Sequence, residues 1–336
     1  MKPRKIISVV TVIYCLSGLA LGTYSANAAQ NASTQSNSAA SFWTADRINK
    51  AISFDMVFEN GSKVGKRVPA LKSTGKPTGG TNTSSSVLGA SWTFGGLPLN
   101  ATGKVFFSIG ASYYQCSGSL VRDGRSDRSI VLTAGHCVFD NATSKYVENW
   151  IFIPSYDVNI VSISGCSTSN MCWPAAGIYA HSGFTSETGF TTNATLHDWG
   201  FATIKQIKNG KLPDGGDGTT ADGTNSFIIS FSALAGQAQV NSYGYPASGK
   251  YNGQDLVYSS GKIAFDTSNA SQTYALASDM TGGCSGGPWT SNVNQNVPYD
   301  GILSSVNSYK YGTTKFIYGP IFNDKTSSTY GVALSS

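Results

Sequence analysis

From Lys104 to Val306 the chain advances in short apolar blocks, among them KVFFSIG, SIVLTAG, WIFIPS, FATIKQI, SFIISF, QVNSYGY, DLVYSS and GILSSV, separated by Gly, Asn and Asp. Each block is strand-length and carries β-branched or aromatic residues, and none sustains a helical period. Strands this short and this numerous bury their apolar faces against one another, so the fold class is all-β, an antiparallel sandwich or barrel. Hydrophobic residues, 40% of the chain, suffice for a core, while only 12% are charged, leaving a surface of Ser, Thr, Asn and Gly like that of an extracellular β protein. The net charge of +5 comes from 23 basic and 18 acidic residues. Several of the basic ones lie before position 77, so the balance points to neither a nucleic-acid nor a membrane-surface partner.

The first 28 residues run from a basic start through an apolar stretch to Ala26-Asn27-Ala28, the layout of a secretory signal peptide, and imply a secreted protein with no stable membrane association after its removal. Residues 29–86 read as a pro-segment and linker, and 87–336 as one catalytic domain. Within the pro-segment, Ala29 to about Ala40 has almost nothing to bury and is expected to be disordered. FWTADRINKAISF is a short amphipathic helix candidate capped by Thr44, and KSTGKPTGGTNTSSS is a linker. Five cysteines remain after signal removal. In an oxidising compartment Cys116 with Cys137 and Cys166 with Cys172 are the natural pairs, leaving Cys284 alone.

Three islands carry chemistry: CSGSLVRDGRSDRSIVLTAGHCVF, HDWGFATI and DMTGGCSGGPW. In this order they resemble the chymotrypsin-like serine endopeptidases, closest in style to secreted bacterial and fungal members, including glutamyl endopeptidases. The resemblance covers roughly the last 240 residues and is most specific in the islands. It implies two antiparallel β-barrels with the active site between them. TAGHC matches the histidine motif, which makes His136 the general base, and the upstream CSGSLV matches the strand whose cysteine bridges to the one after that histidine. GGCSGGPW matches the nucleophile loop, with Ser285 attacking the scissile carbonyl and the N–H groups of Gly283 and Ser285 forming the oxyanion hole. Asp198 falls between them before an apolar strand and completes the triad, with Asp140 and Asp157 as competitors nearer the histidine. His197 reads as a surface residue and His181 has no assigned role.

The chain departs from the family where trypsin-type enzymes carry an aspartate before the serine. Here Cys284 stands there, so activation by insertion of a freed ammonium is not expected, and the motif keeps Ser285 rather than Cys284 as the nucleophile. Asp279, six residues before Ser285, matches the pocket aspartate of trypsin-like members and implies a weak preference for cleavage after Lys or Arg. Glutamyl and small-apolar preferences stand as alternatives, although Leu303 occupies the place where a glutamyl pocket carries histidine. Ser304 is expected to hydrogen-bond substrate backbone and Val306 to narrow the pocket mouth. No calcium-loop or zinc-ligand spacing is evident, so no metal and no cofactor are expected. The partners implied are protein or peptide substrates for a monomeric enzyme. Two rival readings are a catalytically inactive adhesin-like binding protein on the same fold and an esterase. The complete triad argues against the first, and the histidine-first order argues against the second.

Overall fold

The computed structural model describes residues 32–34, 38–59, 61–68, 86–156, 164–166, 171–219, 221–270, 272–291, 301–312 and 314–336. The expected signal peptide and all but the last residue of the expected linker lie outside the described residues.

Two curled, largely antiparallel units divide the molecule. In the first, strands run in the spatial order Gly177–Ala180, Gly200–Ile204, Ser129–Thr133, Ser112–Val121, Thr102–Ile109 and Glu148–Pro154. Thr102–Ile109 and Ser112–Val121 form a hairpin over a two-residue turn whose first residue, Gly110, has φ +56°, a conformation glycine takes without a Cβ clash. The unit's core is fully buried Val105, Phe107, Leu120, Val131, Ile178 and Phe201. In the second unit Val87–Ser91, Val257–Lys262, Gln239–Gly244, Pro288–Ser291 and Ile302–Val306 form one sheet. Thr273–Ala277, Phe316–Pro320 and Tyr309–Tyr311 form another, and Tyr274, Leu276 and Trp289 are packed between the layers.

The chain ahead of Val87 is woven into both units. Ala32–Thr34 pairs with Gly177–Ala180, and Ala39 in the helix Ala39–Phe42 is fully buried, so these parts of the stretch expected to be disordered are ordered. The edge of the neighbouring sheet supplies the backbone partners that the polar sequence lacks on its own. A helix forms at Ala45–Lys50 as expected, with the Thr44 hydroxyl accepting from the Arg47 N–H, but it stops before Ile52, which enters a strand.

One helix has no sequence counterpart. Asp324–Ser335, with the sequence DKTSSTYGVALS, has few strong helix formers and a weak apolar stripe, yet Asn323 and Thr326 close a capping box at its start. It docks on the first unit: the Trp199 indole donates to Thr329 Oγ1, the Thr203 hydroxyl to Ala333 O, and Arg128 Nη1 to Leu334 O and Ser336 O. Tertiary contacts outweigh propensity here.

Candidate active site

Register carries two of the three islands to one point. Gly200 pairs with Thr133, so the turn before Gly200–Ile204 lies beside the single turn Gly135–Cys137 that follows Ser129–Thr133. Asp198 ends the first turn and His136 occupies the second. The His136 backbone N–H donates to Asp198 Oδ1 at 2.8 Å, and Nδ1 meets Asp198 Oδ2 at 2.8 Å. An ionised carboxylate only accepts, so Nδ1 holds the proton and Nε2 presents its lone pair. Both side chains are buried, Asp198 completely. A disulfide joins Cys137 to Cys116 in the adjoining strand, and a second joins Cys166 to Cys172. The His136 ring and the Cys116 and Cys137 sulfurs cluster within 4.8 Å, but the sulfurs are bonded to each other and are not available as metal ligands.

The second unit brings the nucleophile loop against this pair. Gly286 takes φ +80°, and a Cβ on it would lie 2.1 Å from Thr133 Oγ1 and 2.4 Å from Ser117 O, so only glycine permits the approach. Ser117 pins the loop from the first unit: its N–H donates to Ser285 O at 2.7 Å and its hydroxyl to Gly283 O at 2.9 Å. Asn307 holds it from behind, donating from Nδ2 to Cys284 O and Tyr243 O and accepting the Gly286 N–H. Gly283, with φ +100°, and Ser285 have no backbone acceptor for their N–H groups among the described residues. Cys284 is a buried free cysteine, and burial pushes its thiol well above the usual range, so it is not a thiolate nucleophile.

The cleft is occupied by the chain itself. Ile52–Ser53 lies parallel to Tyr114–Gln115, the Phe54 N–H donates to Gln115 O, and Asp55–Phe58 lies parallel to Tyr309–Tyr311. The Phe54 ring stacks on the His136 imidazole at 5.8 Å and 24°, while a Cβ on Gly282 would lie 2.7 Å from Ser53 Oγ and 2.8 Å from Asp55 Cβ. Burial raises the Asp55 carboxyl above its ordinary range, against the pull of Lys310 and His136. His136 Nε2 is buried without a hydrogen-bond partner among the described residues, so the Ser285 hydroxyl is not bonded to it in this state. Arg67 adds a clamp, donating to Tyr114 OH at 2.6 Å with its guanidinium over the Phe54 ring. A cavity of about 490 Å³ opens instead between Gly61–Lys63 and Ser268–Ala270 and is lined by no triad residue.

Three sequence expectations need correction. Ser304 does not face the cleft: its hydroxyl turns back on Ile302 O at 3.5 Å, and Val306 is fully buried opposite Pro288. Ile302–Val306 is spent on the first sheet of its unit, and the chain reaches the cleft only after crossing at Asn307. Ser308, missed in the sequence, donates to Asp198 Oδ2 at 2.5 Å. Asp279 lies against Gly89 with both oxygens engaged, Lys250 Nζ at 2.7 Å on Oδ2 and the Tyr251 hydroxyl at 2.5 Å on Oδ1. His197 is buried, its ring between His181 and Trp199.

No protein-family model matches the chain, and no curated protein matches it. Among solved structures, it is similar to protease Anisep from Arthrobacter nicotinovorans, with 32% identity over 74% of this chain and 100% of that one, at a TM-score of 0.59. It is also similar to the thermostable serine protease AL20 from an extremophilic microorganism, with 28% identity over 71% of this chain and 98% of that one, at a TM-score of 0.57. A Glu endopeptidase shares the fold, at 17% identity and a TM-score of 0.51 over 74% of this chain and 97% of its own. With a histidine fixed on a buried carboxylate at the junction of two β-barrels, and a relative of this identity spanned end to end, the chain belongs to the chymotrypsin-fold serine proteases.

Proposed function

We propose that His136, Asp198 and Ser285 hydrolyse peptide bonds through an acyl-enzyme. The observation that carries this reading is the doubly anchored imidazole of His136 on Asp198, facing a nucleophile loop that Ser117 pins across the cleft. Ser285 Oγ adds to the substrate carbonyl carbon as its proton passes to His136 Nε2. The N–H groups of Gly283 and Ser285 receive the developing oxyanion, and the imidazolium returns the proton to the leaving amine as the C–N bond breaks. Water, deprotonated by His136, then releases the acid and restores Ser285. Ser285→Ala is expected to lower peptide hydrolysis by roughly 10⁴-fold or more, with the folded state retained and fluorophosphonate labelling lost. Labelling and full activity in that variant would remove Ser285 from the role.

The same reading makes residues 29–86 a pro-segment that keeps the monomeric, exported enzyme latent. Phe54 over the imidazole and Ser53 and Asp55 against Gly282 support it, because side chains rather than a scissile carbonyl fill the space beside Ser285. The sequence of residues 1–28, basic then apolar then small, and the two disulfides support export. A synthetic peptide spanning residues 51–68, added to enzyme freed of its pro-segment, is expected to inhibit; full activity at saturating peptide would defeat the latency reading.

On residue preference, the expectation of cleavage after Lys or Arg rests on Asp279, whose two oxygens are already engaged by Lys250 and Tyr251. An acidic preference has a specific observation in its favour: Lys310, on the cleft strand, reaches Met280 O at 2.6 Å, beside the loop that Asp55 touches. A peptide-library profile decides between them, and a loss of acidic selectivity in Lys310→Met is the outcome expected.

A further inference from the structure

Lys104 stands on a strand of the first unit directly opposite Ser117 in the neighbouring strand, so the two side chains share one face. That face meets the second unit. The Ser117 hydroxyl, which donates to Gly283 O, also accepts the Tyr245 N–H at 2.9 Å. Lys104 reaches the loop that follows Tyr245, where its Nζ donates to Gly253 O at 3.1 Å. The same Nζ lies 4.3 Å from the ring centroid of Tyr156 and 5.2 Å from that of Phe106.

This is a costly place for a lysine. The residue is 4% exposed, and no carboxylate among the described residues pairs with it. One carbonyl and two aromatic faces replace the water it has lost, and burial lowers its amine to about 7. An apolar side chain of the same length would fill the space without that cost. Stability alone does not account for a donor here.

What the donor holds does. Gly253 takes φ +72°, and a Cβ on it would lie 2.8 Å from Ala247 Cβ, so the anchored carbonyl and Ala247 belong to one tightly closed loop. The Ala247 N–H donates to Gly282 O at 2.7 Å. Gly282 O and the Gly283 N–H belong to the same peptide unit, and because a trans peptide is planar they point in opposite directions. Fixing the oxygen on Ala247 thus fixes the line of the N–H. A Cβ on Gly283 would lie 2.8 Å from Tyr245 O and 3.2 Å from Ala247 N, so the same loop backs Gly283 closely. We propose, on the reading of Ser285 as nucleophile and Gly283 as oxyanion donor, that Lys104 is a positioning residue for the oxyanion hole, holding loop 245–253 against the Gly282–Gly283 peptide from across the junction of the two barrels.

Lys104→Met keeps the stem and removes the donor. In enzyme processed from the full chain it is expected to lower kcat about tenfold, short of the roughly 100-fold or more that follows outright loss of an oxyanion donor, with KM within about twofold of the unaltered value. Affinity for a peptide aldehyde, whose adduct with Ser285 places an oxygen in the hole, should fall by about the same factor, while affinity for the matching peptide alcohol, which forms no adduct, stays constant. The melting temperature should be equal or higher. Lys104→Gln, which retains an N–H donor, should recover most of the lost kcat. Unchanged kcat and aldehyde affinity in Lys104→Met would overturn the proposal, as would a lower melting temperature or failure to fold, no recovery in Lys104→Gln, or aldehyde and alcohol affinities that fall together. An unaltered enzyme that takes no fluorophosphonate label would instead defeat the reading of Ser285, and this proposal with it.

Discussion

Ser308 Oγ donates to Asp198 Oδ2, the same oxygen that binds His136 Nδ1, so one atom joins the base of the first barrel to the cleft strand of the second. Ser308→Ala removes a hydrogen bond to a charged acceptor, worth about 1.5–3 kcal/mol. A fall in kcat/KM of roughly tenfold is expected. An unchanged kcat/KM in a folded variant would remove Ser308 from the support of the Asp198–His136 pair.

Phe54→Ala strips the ring from His136 while leaving the strand pairings on either side in place. The full-length chain is expected to react with a fluorophosphonate probe at least about tenfold faster, one such factor corresponding to about 1.4 kcal/mol of lost occlusion. An unchanged labelling rate would show that the backbone pairings suffice to shield Ser285.

Asp279→Ser is expected to leave the residue preference of cleavage unchanged, because the carboxylate it removes is shared between Lys250 and Tyr251. A cleavage profile that loses basic residues in this variant would restore Asp279 to the pocket.

Replacing Cys116 and Cys137 by serine opens a bridge with a sequence separation of 21 beside the catalytic turn. Bridges of this span contribute about 2–4 kcal/mol. A melting temperature lower by roughly 5–10 °C is expected from calorimetry. Activity should fall further than stability alone predicts, because Cys137 adjoins His136.

Stability is expected to decline on mild acidification. Burial, with the charges of His181 and Lys325, lowers His197 to about 4 from an ordinary value of 6.5. Between these values the unfolded chain binds a proton that the folded chain refuses. The contribution of His197 is therefore complete above pH 6.5 and is lost as pH falls toward 4, on the order of 2–3 kcal/mol in all. Denaturant titrations across that range should slope upward with pH, and His197→Gln should flatten the slope.

The strands and the three islands were legible because period-two apolar blocks and short motifs are local properties. His136 and Asp198 meet through the register of two strands, and Ser285 reaches them by a glycine loop written in its own motif. What escaped was set by distant partners. Ser308, four residues beyond the Ser304 that simple motif alignment selects, acquires its role only because the chain changes sheets at Asn307. Asp279 sits at the expected spacing, but Lys250 and Tyr251, from another loop, engage both its oxygens. His197 looks polar in sequence, yet Trp199 and His181 enclose it. The helix Asp324–Ser335 has weak propensity and takes its order from Trp199, Thr203 and Arg128.

That helix follows the second barrel in the chain but rests on the first, through Trp199, Thr203 and Arg128. The polypeptide thus crosses the groove and returns, like a belt buckled on the side where it started. Prising the barrels apart would mean undoing the buckle first. Admission of a substrate then calls for displacing the strand lodged between the barrels, with the walls of the groove staying where they are.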